Sequence, residues 1–199
     1  YPAKDDENLI LNKLERNIEK GISTNGANDF VLEFACLAAY KPLHSYKCAS
    51  KIIHNTKLLD LVKQQISNPK QELEIRKEIK THEIKNTVSI KVKNQYENSP
   101  YPRWEKIALK NKPERPVEFF NKLDLSINNQ KIDKWNKIDV LVAGCGTGQH
   151  AITTATKYKD AFITALDLSS NSLSYAKRKA DELEIKNINF LQMDLLNLN

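Results

Sequence analysis

The sequence predicts an α/β chain: a helical N-terminal region, then the first half of a parallel sheet with three strands and two helices. Three observations carry this. Leu11, Leu14 and Ile18 recur at helical spacing early in the chain, with Lys and Glu between them. From Asp139 onward, short apolar runs alternate with longer amphipathic stretches. Between the first such run and the stretch after it stand Gly144, Gly146 and Gly148, at every second position. The divisions follow: residues 1–93 helical, 94–138 a proline- and tyrosine-rich linker or cap, 139–199 the α/β part.

In the helical region, "ENLILNKLERNIEKGI" forms the first helix, and Gly21 with "STNGAND" is expected to break it. Asn28 or Asp29 is placed to cap a second, "FVLEFACLAAY", by accepting from its first free N–H groups. That segment is apolar nearly all round, which predicts burial, and Pro42 ends it. "NTKLLDLVKQQIS" is a third helix, stopped by Asn68–Pro69. "KQELEIRKEIK" is a fourth, with mostly exposed faces. "NTVSIKVKNQYE" fits either a strand, through Val88, Ile90 and Val92, or a helix, through Val88, Val92 and Tyr96; the helix is the expectation. No repeat with a period near 34 residues is visible.

The middle zone holds Pro100, Pro102, Pro113 and Pro116. Each fixes its own φ and disfavours helix at the residue before it. An irregular segment follows, with one short helix near Val117–Leu123.

In the last zone, "DVLVAG" is a strand apolar enough to be buried on both faces. "GQHAITTATKY" is a helix, "AFITALDLS" a second strand and "INFLQMDLL" a third. Between the last two lies "SSNSLSYAKRKADELEI", a helix with Leu173, Ala176, Ala180 and Leu183 on one side and a serine or Asn171 at its cap. A glycine turn between strand and helix brings backbone N–H groups and a positive helix end close to a ligand. A side chain at Gly144, Gly146 or Gly148 would fill that space. The spacing is G-x-G-x-G, with Gln149 where the dinucleotide fingerprint has its last glycine, which disfavours a pyrophosphate pressed onto the helix. Asp167 ends the second strand, nineteen residues beyond Gly148, where a carboxylate can accept from both hydroxyls of a ribose. Leu168 beside it can lie on a flat adenine face. At the end of the third strand Met193 can cover the ring and Asp194 can accept from the adenine amino group.

Each of these residues also has a plainer reading. Asp167 can be a helix-terminal carboxylate, and Asp194 can cap a following turn. Cys145 is a small residue that packs. His150 makes either a structural hydrogen bond or a contact with a ligand. Tyr96, Tyr101, Arg103 and Trp104 either cover a ligand or pack the linker on the domain. His44, His54 and His82 show no metal-ligand spacing.

The set "VLVAGCGTG … ALDLS … FLQMDLL" resembles the cofactor-binding half of class I S-adenosylmethionine-dependent methyltransferases, which have a Rossmann-like sheet. The resemblance spans about sixty residues. It implies that Gly144, Cys145, Gly146, Thr147 and Gly148 approach the cofactor's amino-acid end, Asp167 its ribose, and Leu168, Met193 and Asp194 its adenine. "QYENSPYPRW" followed by "AGCGTGQH" is similar to methyltransferases that carry tetratricopeptide repeats before the catalytic domain. One departure is Val142, where many class I enzymes have an acid two residues before the first glycine. The family's acceptor side is built largely after a fourth strand, so the catalytic residues and the methyl acceptor (protein, RNA or small molecule) are not legible. Two rival readings stand beside this one: a nicotinamide-dependent oxidoreductase fragment, which the glycine spacing disfavours, and a non-catalytic helical interaction module.

Composition narrows the rest. Hydrophobic residues are 40% of the 199 and charged residues 28%, and no apolar run nears a membrane span; the segment around Phe30–Tyr40 is broken by Glu33. The N-terminus lacks the basic start and apolar stretch of a signal peptide, and with the only methionine at Met193 the chain reads as a fragment. Cys36, Cys48 and Cys145 have no C-x-x-C spacing, which suits a reducing, cytoplasmic setting and no zinc site. The net charge of +6 divides into +7 over residues 1–138 and −1 from Asp139 onward. Together with 20 Asn residues, this fits a lysine-rich solvated surface from low-GC coding sequence; a polyanion-binding face is the alternative.

In the family's strand order, 3-2-1-4-5-7-6, Val140–Ala143 would lie mid-sheet beside a fourth strand. Without that strand it is an open apolar edge. The 199 residues alone are therefore expected to be marginally stable and to bind the cofactor weakly. Tight binding in a calorimetric titration would overturn this expectation.

Overall fold

A computed structural model describes residues 4–25, 27–98, 100–109, 112–123 and 137–198. The chain divides into two compact units, Tyr1–Gln71 and Glu72–Asn199. The boundary thus falls within a helix, earlier than the change of composition at residue 93. The segment "INNQKIDKWNK" lies largely outside the described residues.

The first unit is helical. Helix α1 (Asp5–Asn25) runs through Gly21 and does not break there. The glycine serves packing instead: a Cβ at Gly21 would lie 2.3 Å from Cζ of Phe30. A 3₁₀ turn, Ala27–Phe30, then leads into α2 (Val31–Tyr40). Phe30 takes the cap position with no side-chain cap bond, so neither Asn28 nor Asp29 caps this helix. Helix α2 buries Phe34 and Leu37, while Leu32 is 78% exposed; its apolar surface exceeds the stripe that packing covers. Ile18, Leu43, Cys48, Ile52 and Ile66 complete the core with them.

The expected stop at Pro69 does not occur. Helix α3 (Leu59–Val62) passes through a π-turn, Lys63–Ser67, into α4 (Asn68–Glu78). Proline lacks an N–H and crowds the carbonyl four residues back, here that of Gln65. The wider π-turn lies at that carbonyl, and His44 Nδ1 donates to Gln65 O across 3.0 Å. The local defect of proline is thus absorbed without ending the rod.

The second unit is built on a four-stranded parallel sheet, one strand more than predicted. In chain order these are β1 (Lys80–Thr81), β2 (Ile138–Ala143), β3 (Ala161–Asp167) and β4 (Ile188–Gln192), arranged β1-β4-β3-β2. Strand β1 pairs Lys80 with Leu191 and Thr81 with Gln192; two residues leave no periodicity to read. Helix α5 (Thr87–Asn98) follows β1, and Asn86 Oδ1 caps it by accepting from Val88 N and Ser89 N. The short α6 (Pro116–Asn121) has Glu118 Oε2 accepting from Arg115 N at 3.0 Å. Helices α7 (Gln149–Lys157) and α8 (Ser170–Glu182) complete the strand–helix alternation, with Ser169 capping α8 through Ser172 N.

Val142, Ile163, Ala165 and Phe190 join Ile152, Leu173 and Ala176 in one core, so α7 and α8 cover one face of the sheet. The other face is not covered over β2 among the described residues. Leu141 is 50% exposed there and Phe162 on β3 is 47% exposed. The expectation that β2 is buried on both faces is therefore corrected: among the described residues it is an outer strand with one packed side.

The strand-to-helix turn uses three left-handed glycines, with φ of 67° at Gly144, 52° at Gly146 and 82° at Gly148. Their surroundings differ. A Cβ at Gly144 would meet nothing within 4 Å, whereas one at Gly148 would lie 2.5 Å from Ala176 Cβ and 3.2 Å from Ala176 Cα.

A buried ionic cluster fastens the segment before the sheet to α8. Arg178 is 3% exposed; its Nε donates to Glu72 Oε1 at 2.9 Å and its Nη1 to Glu182 Oε1 at 2.7 Å. Arg178 and Arg103 both lie over the Tyr175 ring, at 4.8 and 5.3 Å, and Arg103 also reaches Glu72. Lys179 Nζ donates to Glu182 Oε2 and to the carbonyl of Glu105. Burial raises the proton affinity of Glu182, but the Lys179 hydrogen bond and the Arg178 charge outweigh it and hold the carboxyl below its usual range.

These contacts can be tested by substitution. Gly148→Ala meets both a left-handed φ and the Ala176 backbone, and should cost about 2 kcal/mol or more in a denaturant melt. Gly144→Ala, with open space around it, should cost only the roughly 1 kcal/mol of the φ. Because its folded carboxyl titrates low, Glu182 contributes stability that is complete above about pH 4.3, its unfolded value, and is lost as pH falls through the folded one. Glu182→Gln should therefore flatten the acid limb of stability against pH.

Candidate functional site

A cavity of about 520 Å³ opens at the C-terminal ends of β2, β3 and β4, where parallel sheets bind ligands. Its floor is the glycine loop. Cys145 N donates to Leu166 O at 2.9 Å, which ties the loop to β3. Asp167 ties it further: Oδ2 accepts from Gly146 N at 2.8 Å and Oδ1 from Ser169 N at 2.9 Å. Each oxygen keeps a second lone pair, so the carboxylate can still accept from a ligand. The structural and ligand-binding readings of Asp167 are compatible.

Eight of the nine residues singled out in the sequence line this cavity: Gly144, Cys145, Gly146, Thr147, Asp167, Leu168, Met193 and Asp194. Gly148 does not. It lies under Ala176 and gives the chain its turn into α7, so its place is in packing rather than in the cavity. Cys145 is buried, and its thiol is pushed well above the usual range by burial and then by the Asp167 carboxylate. It stays protonated and packs, as expected of a small residue there. Val142 is 5% exposed and belongs to the core.

Asp194 follows β4 and is 3% exposed. Its Oδ1 accepts from Leu196 N at 3.0 Å, which caps the 3₁₀ turn Leu195–Asn197. Its Oδ2 is buried with no hydrogen-bond partner among the described residues. A buried acceptor without a donor is costly.

The rest of the lining comes from outside the three strand ends. Val92 and Tyr96 on α5, and Tyr101 and Pro102 after it, form part of the wall, with Gln149, His150, Leu166, Ser172 and Leu195. The "YPRW" segment divides its labour. Trp104 is buried, donating from Nε1 to Thr147 O at 3.0 Å, and Thr147 Oγ1 donates to Pro102 O at 2.6 Å. Tyr175 OH donates to the carbonyl of Trp104. Tyr101, 77% exposed, stands at the cavity instead. The packing and covering readings of these aromatics thus belong to different residues.

Sequence reasoning missed Glu97. Its carboxylate accepts from Ser170 N at 2.8 Å, Ser170 Oγ at 2.9 Å and Asn171 N at 3.2 Å, at the positive end of α8. Arg76 lies 3.7 Å from it. This seats the C-terminal end of α5, and with it Tyr96. An acid 73 residues before the helix it caps leaves no local signal. His150 makes no side-chain hydrogen bond among the described residues, contrary to the structural bond weighed for it.

No helix among the described residues is long and apolar enough to cross a membrane. No curated protein matches the chain. Among solved structures, it is similar to a geranyl diphosphate C-methyltransferase from Streptomyces coelicolor A3(2), solved with S-adenosyl-L-homocysteine. The identity is 16%, over 58% of this chain and 49% of that one, with a TM-score of 0.37. A putative S-adenosyl-L-methionine-dependent methyltransferase from Methanococcus maripaludis is 18% identical over 59% and 47%, at 0.30. Coclaurine N-methyltransferase is 13% identical over 95% and 46%, at 0.32. The chain spans less than half the length of each. Residues 140–199 match the family model described as a methyltransferase domain. That match covers most of β2, the glycine loop, β3 and β4.

Proposed function

We propose that this chain supplies the cofactor-binding part of a class I S-adenosylmethionine-dependent methyltransferase, acting on an acceptor not yet identified. The observation that carries the reading is one cavity at the ends of three parallel strands, lined by the glycine loop, Asp167 and Asp194. The exocyclic amino group of an adenine is a donor that the Asp194 carboxylate could accept from. Asp167 would accept from the ribose hydroxyls, and Leu168 and Met193 would flank the ring. Gly144 and Gly146 would leave room for the amino-acid end. When bound, the cofactor supplies a methyl group on a sulfonium, reactive without a metal. The chain's own task is to hold it in one orientation and shield it from water.

The reading is tested by crosslinking and equilibrium titration of the chain with S-adenosylhomocysteine and, separately, NAD. The former should bind and the latter should not. Asp194→Asn keeps the cap on Leu196 but turns an amide N–H toward the ligand's own donor. It should weaken S-adenosylhomocysteine by about tenfold or more, with the melting temperature unchanged or raised. Equal binding by the Asp194→Asn variant and the parent would remove the basis of the assignment.

A further inference from the structure

The second unit uses aromatic rings to hold cations. Arg103 and Arg178 lie over Tyr175, Lys179 Nζ lies 4.9 Å from the centre of the Trp104 ring, and Lys157 Nζ lies 3.6 Å from that of Phe119. Tyr96 and Tyr101 line the cavity and have no such cation among the described residues. They are 42% and 77% exposed, so their rings are open to a ligand. The fixed charge of the lining has one sign. It holds the carboxylates of Asp167 and Asp194 and, among the described residues, no Lys or Arg. Its basic side chain is His150, in the first turn of α7, and burial keeps the Cys145 thiol protonated. Tyr101 is held close to these groups: its carbonyl oxygen lies 3.9 Å from where a Cβ at Gly146 would stand, and Gly146 N donates to Asp167.

We infer that the cavity selects the cationic form of its cofactor over the neutral form left after methyl transfer, through Tyr96 and Tyr101 set beside the two carboxylates. The inference rests on the cofactor reading above. The two forms differ by one methyl and one positive charge: the electron pair of the S–CH₃ bond stays on sulfur as the acceptor's lone pair takes the methyl. All other groups of the ligand are shared, so contacts with its adenine, ribose and amino acid do not tell the forms apart. The charge does. A ring face attracts a cation through its quadrupole, more strongly where water is excluded. Carboxylates in a partly enclosed cavity are screened less than on an open surface, and no Lys or Arg in the described lining offsets them. The spent form therefore binds more weakly and gives way to a fresh one. Cofactor exchange thus depends on a wall built from residues before the methyltransferase-domain match.

The test compares S-adenosylmethionine and sinefungin, which carries an ammonium in place of the sulfonium, with S-adenosylhomocysteine in equilibrium titrations of the full chain. Both cationic ligands should bind about tenfold tighter than S-adenosylhomocysteine, a gap within reach of two cation–ring contacts and two carboxylates. The double variant Tyr96→Leu, Tyr101→Leu should narrow the gap to about threefold or less, chiefly by weakening the cationic ligands. Tyr96→Phe with Tyr101→Phe keeps the rings and should keep the gap. Both side chains are exposed, so the melting temperatures of the three proteins should agree. S-adenosylhomocysteine binding as tightly as the cationic ligands, or a tenfold gap that survives the leucine substitutions, overturns the inference while the cofactor reading stands. Failure of all three ligands to bind overturns both.

Discussion

Asp167 is the residue on which the cavity depends. Its carboxylate holds Gly146 N on one oxygen and Ser169 N on the other, and its carbonyl accepts from Met193 N at 3.1 Å. One residue thus registers the glycine loop, the start of α8 and the end of β4 against β3. Every lining residue from those elements takes its position from that junction. A carboxylate bonded to oriented backbone donors is also held in place before a ligand arrives, which spares the ligand the cost of ordering it.

The second constraint is the seating of residues 72–104 on the sheet's helices. Arg178 is buried, and Glu72, Glu182 and the Tyr175 ring compensate its charge. A buried guanidinium is tolerated only with such partners, so the cluster sets where the preceding chain must run. Trp104 and Thr147 then lock that chain to the glycine loop, and Glu97 locks α5 to α8. These contacts make Val92, Tyr96 and Tyr101 part of the cavity although they lie well before the methyltransferase-domain match.

Much of the cavity's lining was legible because its residues are short-range punctuation. Glycines at every second position after an apolar run, and acids closing the next two runs, sit at strand ends whatever the rest of the chain does. The order of β2, β3 and β4 is the one implied by the strand order of the resembled family. Gly148 was misplaced because a glycine's need for positive φ looks the same in sequence whether the space beside it belongs to a ligand or to Ala176. Gly21 and Pro69 were misread as breaks for a related reason. Their compensations, the Phe30 ring and the Gln65 carbonyl held by His44, come from elsewhere in the first unit.

The amino-acid sequence by itself determined the alternation of strand and helix after Asp139, the glycine turn and the acids at the strand ends, since periodicity and backbone permissiveness are local properties. Only the tertiary structure decided that β1 joins the sheet, that β2 packs on one side, and that Glu97, Arg178 and Trp104 bring distant chain to the cavity. It also decided that Asp194 has one oxygen engaged and one buried without a donor among the described residues, because partnership of a buried polar atom depends on which neighbours the fold assembles around it.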